Sequence, residues 1–258
     1  MEVLVFFIGA SIGSFLNVLI DRLPKNESIN GRSHCDFCGK KLTPFDLIPI
    51  FSFIFLGGKC RFCHKKLSWQ YPGIEILTGL IFLVIFNLQF PVSSEFSIYN
   101  FQFLKLVSFW GIASSLIVIF FSDLKYQLIS DWILLSLFMF SLPAVVLTKA
   151  GLINSIVSGL IVSLPIFLIY YISHERAMGL GDVYLAGIIG FLLGWKAGYL
   201  ALYSAFITGA IFGLGLMIFK KKGMKTKIAF GPFIVLGTFL MMFWGERIIQ
   251  IIKKIYGF

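Results

Sequence analysis

The chain has 258 residues, 58% of them hydrophobic and 13% charged, with mean hydropathy +0.92. A soluble domain is about 45–50% apolar and about 25% charged, so that class is excluded. The net charge of +10 does not point to nucleic acid, because the basic residues fall mainly in a few loops; in a membrane protein such loops report orientation and attraction to anionic lipid.

The first apolar run covers residues 3–20, with Glu2 the only charge before Asp21. A secretory signal carries basic residues ahead of its apolar core, whereas Arg22 and Lys25 follow this one, which predicts a retained anchor with its N-terminus outside. Gly9 and Gly13 stand four apart and suit either a close helix contact or plain core packing.

Residues 21–71 differ in character. They hold all four cysteines, nine Lys/Arg, four Asp/Glu and two of the three histidines, as a small extramembrane domain would. The semi-apolar stretch 45–56 within it is expected to lie on the membrane or pack against the helices. Cys35-Asp36-Phe37-Cys38 and Cys60-Arg61-Phe62-Cys63 are two C-x-x-C knuckles separated by 21 residues. Each presents two thiolates from one turn, and together they complete a tetrahedral Zn²⁺ site. Paired disulfides and a thiol redox site are the alternatives. A cytoplasmic location disfavours the first, and one redox motif does not explain two copies. Lys40, Lys59, Arg61 and Lys65 offset the charge of four thiolates, and His34 and His64 are either substitute ligands or exposed loop residues.

Seven more apolar runs follow, at 73–90, 105–122, 132–148, 152–172, 183–199, 200–219 and 231–250. The expected fold is an all-α polytopic membrane protein of about eight transmembrane helices with a small cytoplasmic zinc-knuckle domain built on the four cysteines. Its divisions are a first helix at 1–22, the cysteine-rich domain at 23–71 and a seven-helix domain at 72–258. Only Gly194-Trp195-Lys196-Ala197-Gly198 offers a turn between the fifth and sixth of these runs. With the N-terminus outside, the inside loops carry sixteen of the 22 basic residues, among them Lys125, Arg176, Lys220, Lys221, Lys222, Lys225 and Lys227. Lys105, Lys149, Lys196, Arg247, Lys253 and Lys254 stay outside, and the outside loop 91–104 has a single lysine neighbour, Lys105, and no basic residue of its own. That asymmetry supports both termini outside.

Two acids interrupt this pattern where hydrophobicity disfavours charge: Asp123 at the end of one run, and Asp182 in the break before another. The topology puts both at the cytoplasmic face. Two close carboxylates share one proton; the ionised one activates water and the protonated one polarises a peptide carbonyl. The structural reading is that Asp182 caps the helix beginning at Val183, as Asp131 caps the one beginning at Trp132, while Ser122 caps a turn near Asp123. Residue types alone leave both readings open. Proton-coupled transport is a further alternative, although transporters place such groups nearer the midplane. Glu75 reads as a snorkelling boundary residue in preference to a group supporting the site, and His174 carries no role.

These residues in this order resemble the bacterial type IV prepilin peptidases over nearly the whole chain. The signature runs through Gly13-Ser14-Phe15-Leu16-Asn17-Val18, Arg22-Leu23-Pro24, the two knuckles with Leu47-Ile48-Pro49 between them, and Tyr71-Pro72-Gly73-Ile74-Glu75. Asp123-Leu124-Lys125, Leu128-Ile129-Ser130-Asp131, the G-x-G-D at Gly179–Asp182 and Gly231-Pro232-Phe233 complete it. The resemblance implies an intramembrane aspartic endopeptidase of the bacterial cytoplasmic membrane with Asp123 and Asp182 as catalytic pair. Its substrates are prepilins or pseudopilins, whose short basic leader ends in glycine before a hydrophobic helix. It also implies N-methylation of the new N-terminus from S-adenosylmethionine, although no Gly-rich methyl-donor fold is visible in the sequence. Other intramembrane aspartic proteases share the dyad, and a structural membrane protein with a zinc anchor shares the knuckles. Tyr184 stands where many members have lysine, and Ser130 where many have proline.

Overall fold

The computed structural model describes residues 1–35, 37–89, 100–147, 151–220 and 229–256. The chain divides into two compact units, Met1–Val118 and Ile119–Phe258. Asp36, most of the loop 91–104, Lys149 and the group Lys221, Lys222, Lys225 and Lys227 lie outside the described residues.

Regular structure among the described residues is helical: α1 (Glu2–Arg22), α2 (Phe51–Phe55), α3 (Gln70–Gln89), α4 (Asn100–Tyr126), α5 (Asp131–Leu147), α6 (Leu152–Ser173), α7 (Leu180–Lys220) and α8 (Gly231–Tyr256). β pairing there is limited to two isolated antiparallel bridges, His34 with Lys41 and Lys59 with Lys66. An apolar chain in hydrocarbon must satisfy its own backbone, and a helix does so within one segment. Six of the helices have the length and composition of a membrane crossing, and α5, at 17 residues, falls just short. Their outward faces stay apolar, as at Leu80, Leu160 and Ile172, which suits contact with lipid tails.

In the first unit, glycine lets α1 and α3 meet backbone to backbone. A methyl built on Gly9 would lie 2.8 Å from the Cα of Gly79, and one on Gly13 2.8 Å from the Cα of Glu75. Small residues at such a seam let helices associate without a hydrophobic driving force. Trp110 of α4 stacks on Phe82 of α3 at 4.7 Å between centroids and donates its indole N–H to the Phe82 carbonyl. The stretch 45–56 does two things: Phe51 stacks on Phe7 of α1 and Phe53 is buried, while Phe45, Ile54 and Phe55 remain exposed. Glu75 corrects the snorkelling expectation. It is buried and accepts the N–H of Ile50 at 2.7 Å. That bond holds Ile50 at φ 66°, a conformation unfavourable for a β-branched residue.

In the second unit, α7 is not one straight rod. Gly194 has φ 78° and ψ 167°, outside the helical region. A methyl on Gly198 would lie 3.2 Å from the Cα of Gly190, whereas residues eight apart in a straight helix are about 12 Å apart. The chain therefore folds back at Gly194, five residues before the expected boundary at 199/200. Val162 of α6 fits into the notch: methyls on Gly190 and Gly198 would lie 2.6 Å and 2.8 Å from its side chain. On the other limb, Gly237 of α8 packs directly against the Ala201 carbonyl.

Candidate functional site

Asp123 lies near the C-terminal end of α4, and the chain must turn sharply after it. The Ser122 hydroxyl donates to the Leu128 carbonyl at 2.9 Å, which ties down that turn, as the capping expectation for Ser122 has it. Ile129 follows and packs against two other segments. A methyl on Gly181 would lie 3.1 Å from the Ile129 Cβ, and a methyl on Gly231 would lie 3.4 Å from its Cδ1. One isoleucine thus touches the residue beside Asp182 and the residue that begins α8.

Gly231 supplies the contact that sequence reasoning missed. The carbonyl of Phe230 accepts the N–H groups of Phe233 and Ile234, so α8 starts immediately after it. The N–H of Gly231 has no partner within its helix, and it donates to Asp123 Oδ2 at 2.9 Å. A carboxylate at this position completes the helix N-terminus and lies at the positive end of its dipole. The glycine is required for the approach, since a methyl there would sit 2.6 Å from that oxygen. The Gly-Pro-Phe element was visible in the sequence, but nothing in it announced a bond spanning 108 positions.

Asp182 sits in the first turn of α7, which begins at Leu180 and not at Val183. Its Oδ2 accepts the Gly179 N–H at 3.2 Å, while its own N–H donates to the Gly179 carbonyl. This is the back-reaching half of a capping box. The cap therefore does not exclude the functional reading of the same side chain. Asp131 also falls inside the first turn of its helix, with the Ser130 carbonyl in the cap position.

Asp123 and Asp182 are 6% and 8% exposed, and Ile129 packs against Gly181, beside Asp182, and against Gly231, the hydrogen-bond partner of Asp123. Each commits Oδ2 to a single backbone N–H, and no described residue donates to either Oδ1. Two buried carboxyl groups with one uncommitted oxygen apiece can hold a proton and a water molecule between them. His174 ends α6 in a left-handed conformation, a structural position.

In the first unit, the Sγ atoms of Cys35, Cys38, Cys60 and Cys63 all lie within 4.8 Å of one another. All four thiols are free, and Cys35 Sγ to Cys63 Sγ measures 3.8 Å. A tetrahedron with Zn–S bonds of about 2.3 Å has S···S edges of about 3.8 Å, whereas a disulfide needs about 2.05 Å. The donor set therefore fits a metal ion.

The knuckles repeat one another. Each is Cys-x-Phe-Cys-x-Lys-Lys-Leu, at 35–42 and 60–67. In each, the first cysteine's N–H donates to the first lysine's carbonyl (3.0 and 2.9 Å), and its carbonyl accepts the N–H of the residue four ahead. That residue is Gly39 or His64, both at positive φ; His64 thus occupies a turn position. The ammonium of Lys40 lies over the Phe62 ring, and that of Lys65 over Phe37. Burial pushes the Cys35 thiol up to about 11, whereas the backbone N–H groups of Cys63 and Phe62 pull Cys60 down to about 7. A bound cation displaces such protons. Nearby, burial acts to raise the Asp46 carboxyl, but hydrogen bonds from Thr43 and the Arg61 guanidinium at 2.7 Å outweigh it and hold it below its ordinary range.

Comparison with known proteins adds to this geometry. A family description named "Bacterial Peptidase A24 N-terminal domain" matches residues 7–89, and one named "Type IV leader peptidase family" matches residues 110–214. A Bacillus subtilis protein named prepilin leader peptidase/N-methyltransferase is 30% identical over 257 residues, covering 97% of each chain. Proteins of the same name from Legionella pneumophila and Pseudomonas aeruginosa are 30% and 26% identical, over 97% of this chain and 93% of theirs. No solved structure matches.

Proposed function

Because the chain belongs to the type IV leader peptidase family, we propose that it removes the leader from prepilins or pseudopilins with Asp123 and Asp182 as its catalytic pair, and then N-methylates the new terminus. The observation that carries this reading is the pairing of two buried carboxyl groups through one shared neighbour, Ile129, each held by a single backbone N–H. The ionised carboxylate takes a proton from water as that water attacks the scissile carbonyl, and the protonated carboxyl donates to the carbonyl oxygen. The Gly231 N–H orients Asp123 throughout, and the packed helices exclude bulk water, which strengthens both interactions.

Four thiolates from Cys35, Cys38, Cys60 and Cys63 would hold a structural Zn²⁺, which fastens the two knuckles together and takes no part in cleavage. When bound, S-adenosylmethionine would supply the methyl group for the amine exposed by cleavage. The division into 1–22, 23–71 and 72–258 belongs to the same reading. So does the orientation, with eight crossings, both termini outside, and the knuckles and acids facing the cytoplasm of a bacterial inner membrane. The positive-inside distribution supports it, as does the fold-back at Gly194.

The deciding experiment uses full-length protein in detergent with a prepilin substrate. Asp123→Asn and Asp182→Asn should each abolish leader removal while leaving yield and helix content unchanged. Normal cleavage by either variant overturns the assignment.

A further inference from the structure

The stretch that joins the two knuckles is unlike either of them. Residues 47–58, Leu-Ile-Pro-Ile-Phe-Ser-Phe-Ile-Phe-Leu-Gly-Gly, carry no charge. Asp46, just ahead of them, is taken up by Arg61. Exposed lysines stand on both sides, Lys40 and Lys41 before the stretch and Lys59, Lys65 and Lys66 after it. Such a run is too short to cross a bilayer, and an apolar run of about 10–14 residues suits a buried helix or a re-entrant segment.

Packing decides how deep it lies. α1 has 21 residues, which at about 1.5 Å each cover about 31 Å, the full thickness of a hydrocarbon core of about 30 Å. Neither end of α1 has length to spare, so whatever lies beside its middle lies within the bilayer. The Phe51 ring stacks on that of Phe7, with centroids 5.9 Å apart. Phe7 stands fifteen residues before Arg22, about 22 Å along the helix from its charged end. Leu47 and Leu56 line one cavity with Ser11 and Phe15 of α1. Glu75 of α3, whose Cα faces Gly13 of α1, adds a further tie by accepting the Ile50 N–H at 2.7 Å.

The backbone suits that depth. Hydrocarbon offers neither donor nor acceptor, so irregular chain within it needs protein partners for its polar groups. Pro49 has no N–H. Ile50 gives its own to Glu75, and Ser52, Ile54, Leu56 and Gly58 give theirs to carbonyls within the stretch. One side is packed, with Phe53 9% exposed, whereas Ile54 and Phe55 are 65% and 85% exposed.

From this depth, backbone and uncovered face we infer that residues 47–58 form a re-entrant segment whose open side contacts lipid acyl chains. The lysines at its entry and exit suit anionic headgroups. Glu75 is the hook that holds the segment down: a carboxylate within the bilayer is costly, and this one binds the N–H of Ile50, where the chain takes its φ of 66°. The inference needs α1 and α3 to be crossings. The orientation proposed above decides only which leaflet is entered, so this reading and the peptidase reading fail separately.

The test uses full-length protein in lipid nanodiscs containing phosphatidylglycerol, with trifluoromethyl-phenylalanine in place of Phe55. Broadening of the fluorine signal is read twice, from a nitroxide on the lipid acyl chain and from a water-soluble gadolinium chelate. The same probe at Phe167, exposed on α6, is the lipid reference, and at Phe37, beside the Lys65 ammonium, the water reference. The nitroxide should broaden the Phe55 signal more than the chelate does, as at Phe167, with the order reversed at Phe37. Glu75→Gln keeps an acceptor for Ile50 and should keep that order, whereas Glu75→Leu should shift the Phe55 probe towards water. A Phe55 probe broadened chiefly by the chelate makes the stretch a surface loop and overturns the inference. One shielded from both agents overturns it too, because protein, of this chain or of a second copy, then covers the face. A probe left equally deep by Glu75→Leu overturns the role given to Glu75. None of these readings depends on whether the sample cleaves prepilin.

Discussion

Adding one methyl group at Gly231 should disable the peptidase without unfolding it. The new carbon of Gly231→Ala would lie 2.6 Å from Asp123 Oδ2 and 3.2 Å from its Cγ. An ordinary C···O contact begins near about 3.3 Å, so the carboxyl must retreat by about 0.7 Å. The bond from the Gly231 N–H, now 2.9 Å, would lengthen to about 3.6 Å, which is no longer a hydrogen bond. A lost hydrogen bond to a charged group costs about 1.5–3 kcal/mol, and a catalytic group misplaced by about 1 Å costs on the order of 100-fold in rate. Both routes give a fall of about 10- to 100-fold in kcat/KM. The assay is leader removal from a detergent-solubilised prepilin at subsaturating concentration, read as the shift between precursor and mature bands. Gly215→Ala in α7 is the control, because a methyl there meets nothing within 4 Å and activity should not change. If Gly231→Ala cleaves at the wild-type rate, the bond to Gly231 does not position the acid and the reasoning fails.

Three further outcomes are expected. Gly237→Ala places a carbon against the Ala201 carbonyl and Ser204 Oγ; prying α8 from α7 should cost about 1–3 kcal/mol, seen as a lower unfolding midpoint, and because α8 begins at Gly231, cleavage should fall with it. The purified protein should carry about one equivalent of zinc, lost on mild acidification as the thiolates take up protons and lost in Cys38→Ser or Cys63→Ser; a content below about half an equivalent refutes the site. The carboxyl of Asp46 ionises below its ordinary value of 3.8 in the fold, so its stabilisation is present above that value and vanishes as pH falls through the lower, folded one. Asp46→Asn should therefore weaken the cysteine segment at neutral pH, by less than about 1 kcal/mol because Arg61 is half exposed. Limited proteolysis should show the difference closing at strongly acid pH; a difference that persists there contradicts the linkage.

What the sequence disclosed and what it hid follow from the range of the interactions involved. Hydropathy exposed the two aspartates because each breaks an apolar run, and spacing exposed the knuckles because four thiolates need short loops. The helix starts were displaced by a few residues for a local reason: Asp182 bonds backward to Gly179, so α7 begins ahead of the acid instead of after it. Glu75 was misread because its partner, the Ile50 N–H, sits 25 positions away in an irregular stretch with no periodicity. The Gly231 bond to Asp123 was invisible for the same reason at greater range. The reversal at Gly194 was legible only as a glycine-containing turn, since what fixes it is Val162 of another helix seated between Gly190 and Gly198.

The duplicated hairpin of the cysteine segment has a mechanical consequence. Neither copy offers more than two sulfurs, and each lysine rests on the ring belonging to its twin, so loosening one half weakens the other. An ion seated there would lose half its ligands when either half opens, and damage to one half is felt by the other. Phe37→Ala and Phe62→Ala thereby become interchangeable probes of a single latch.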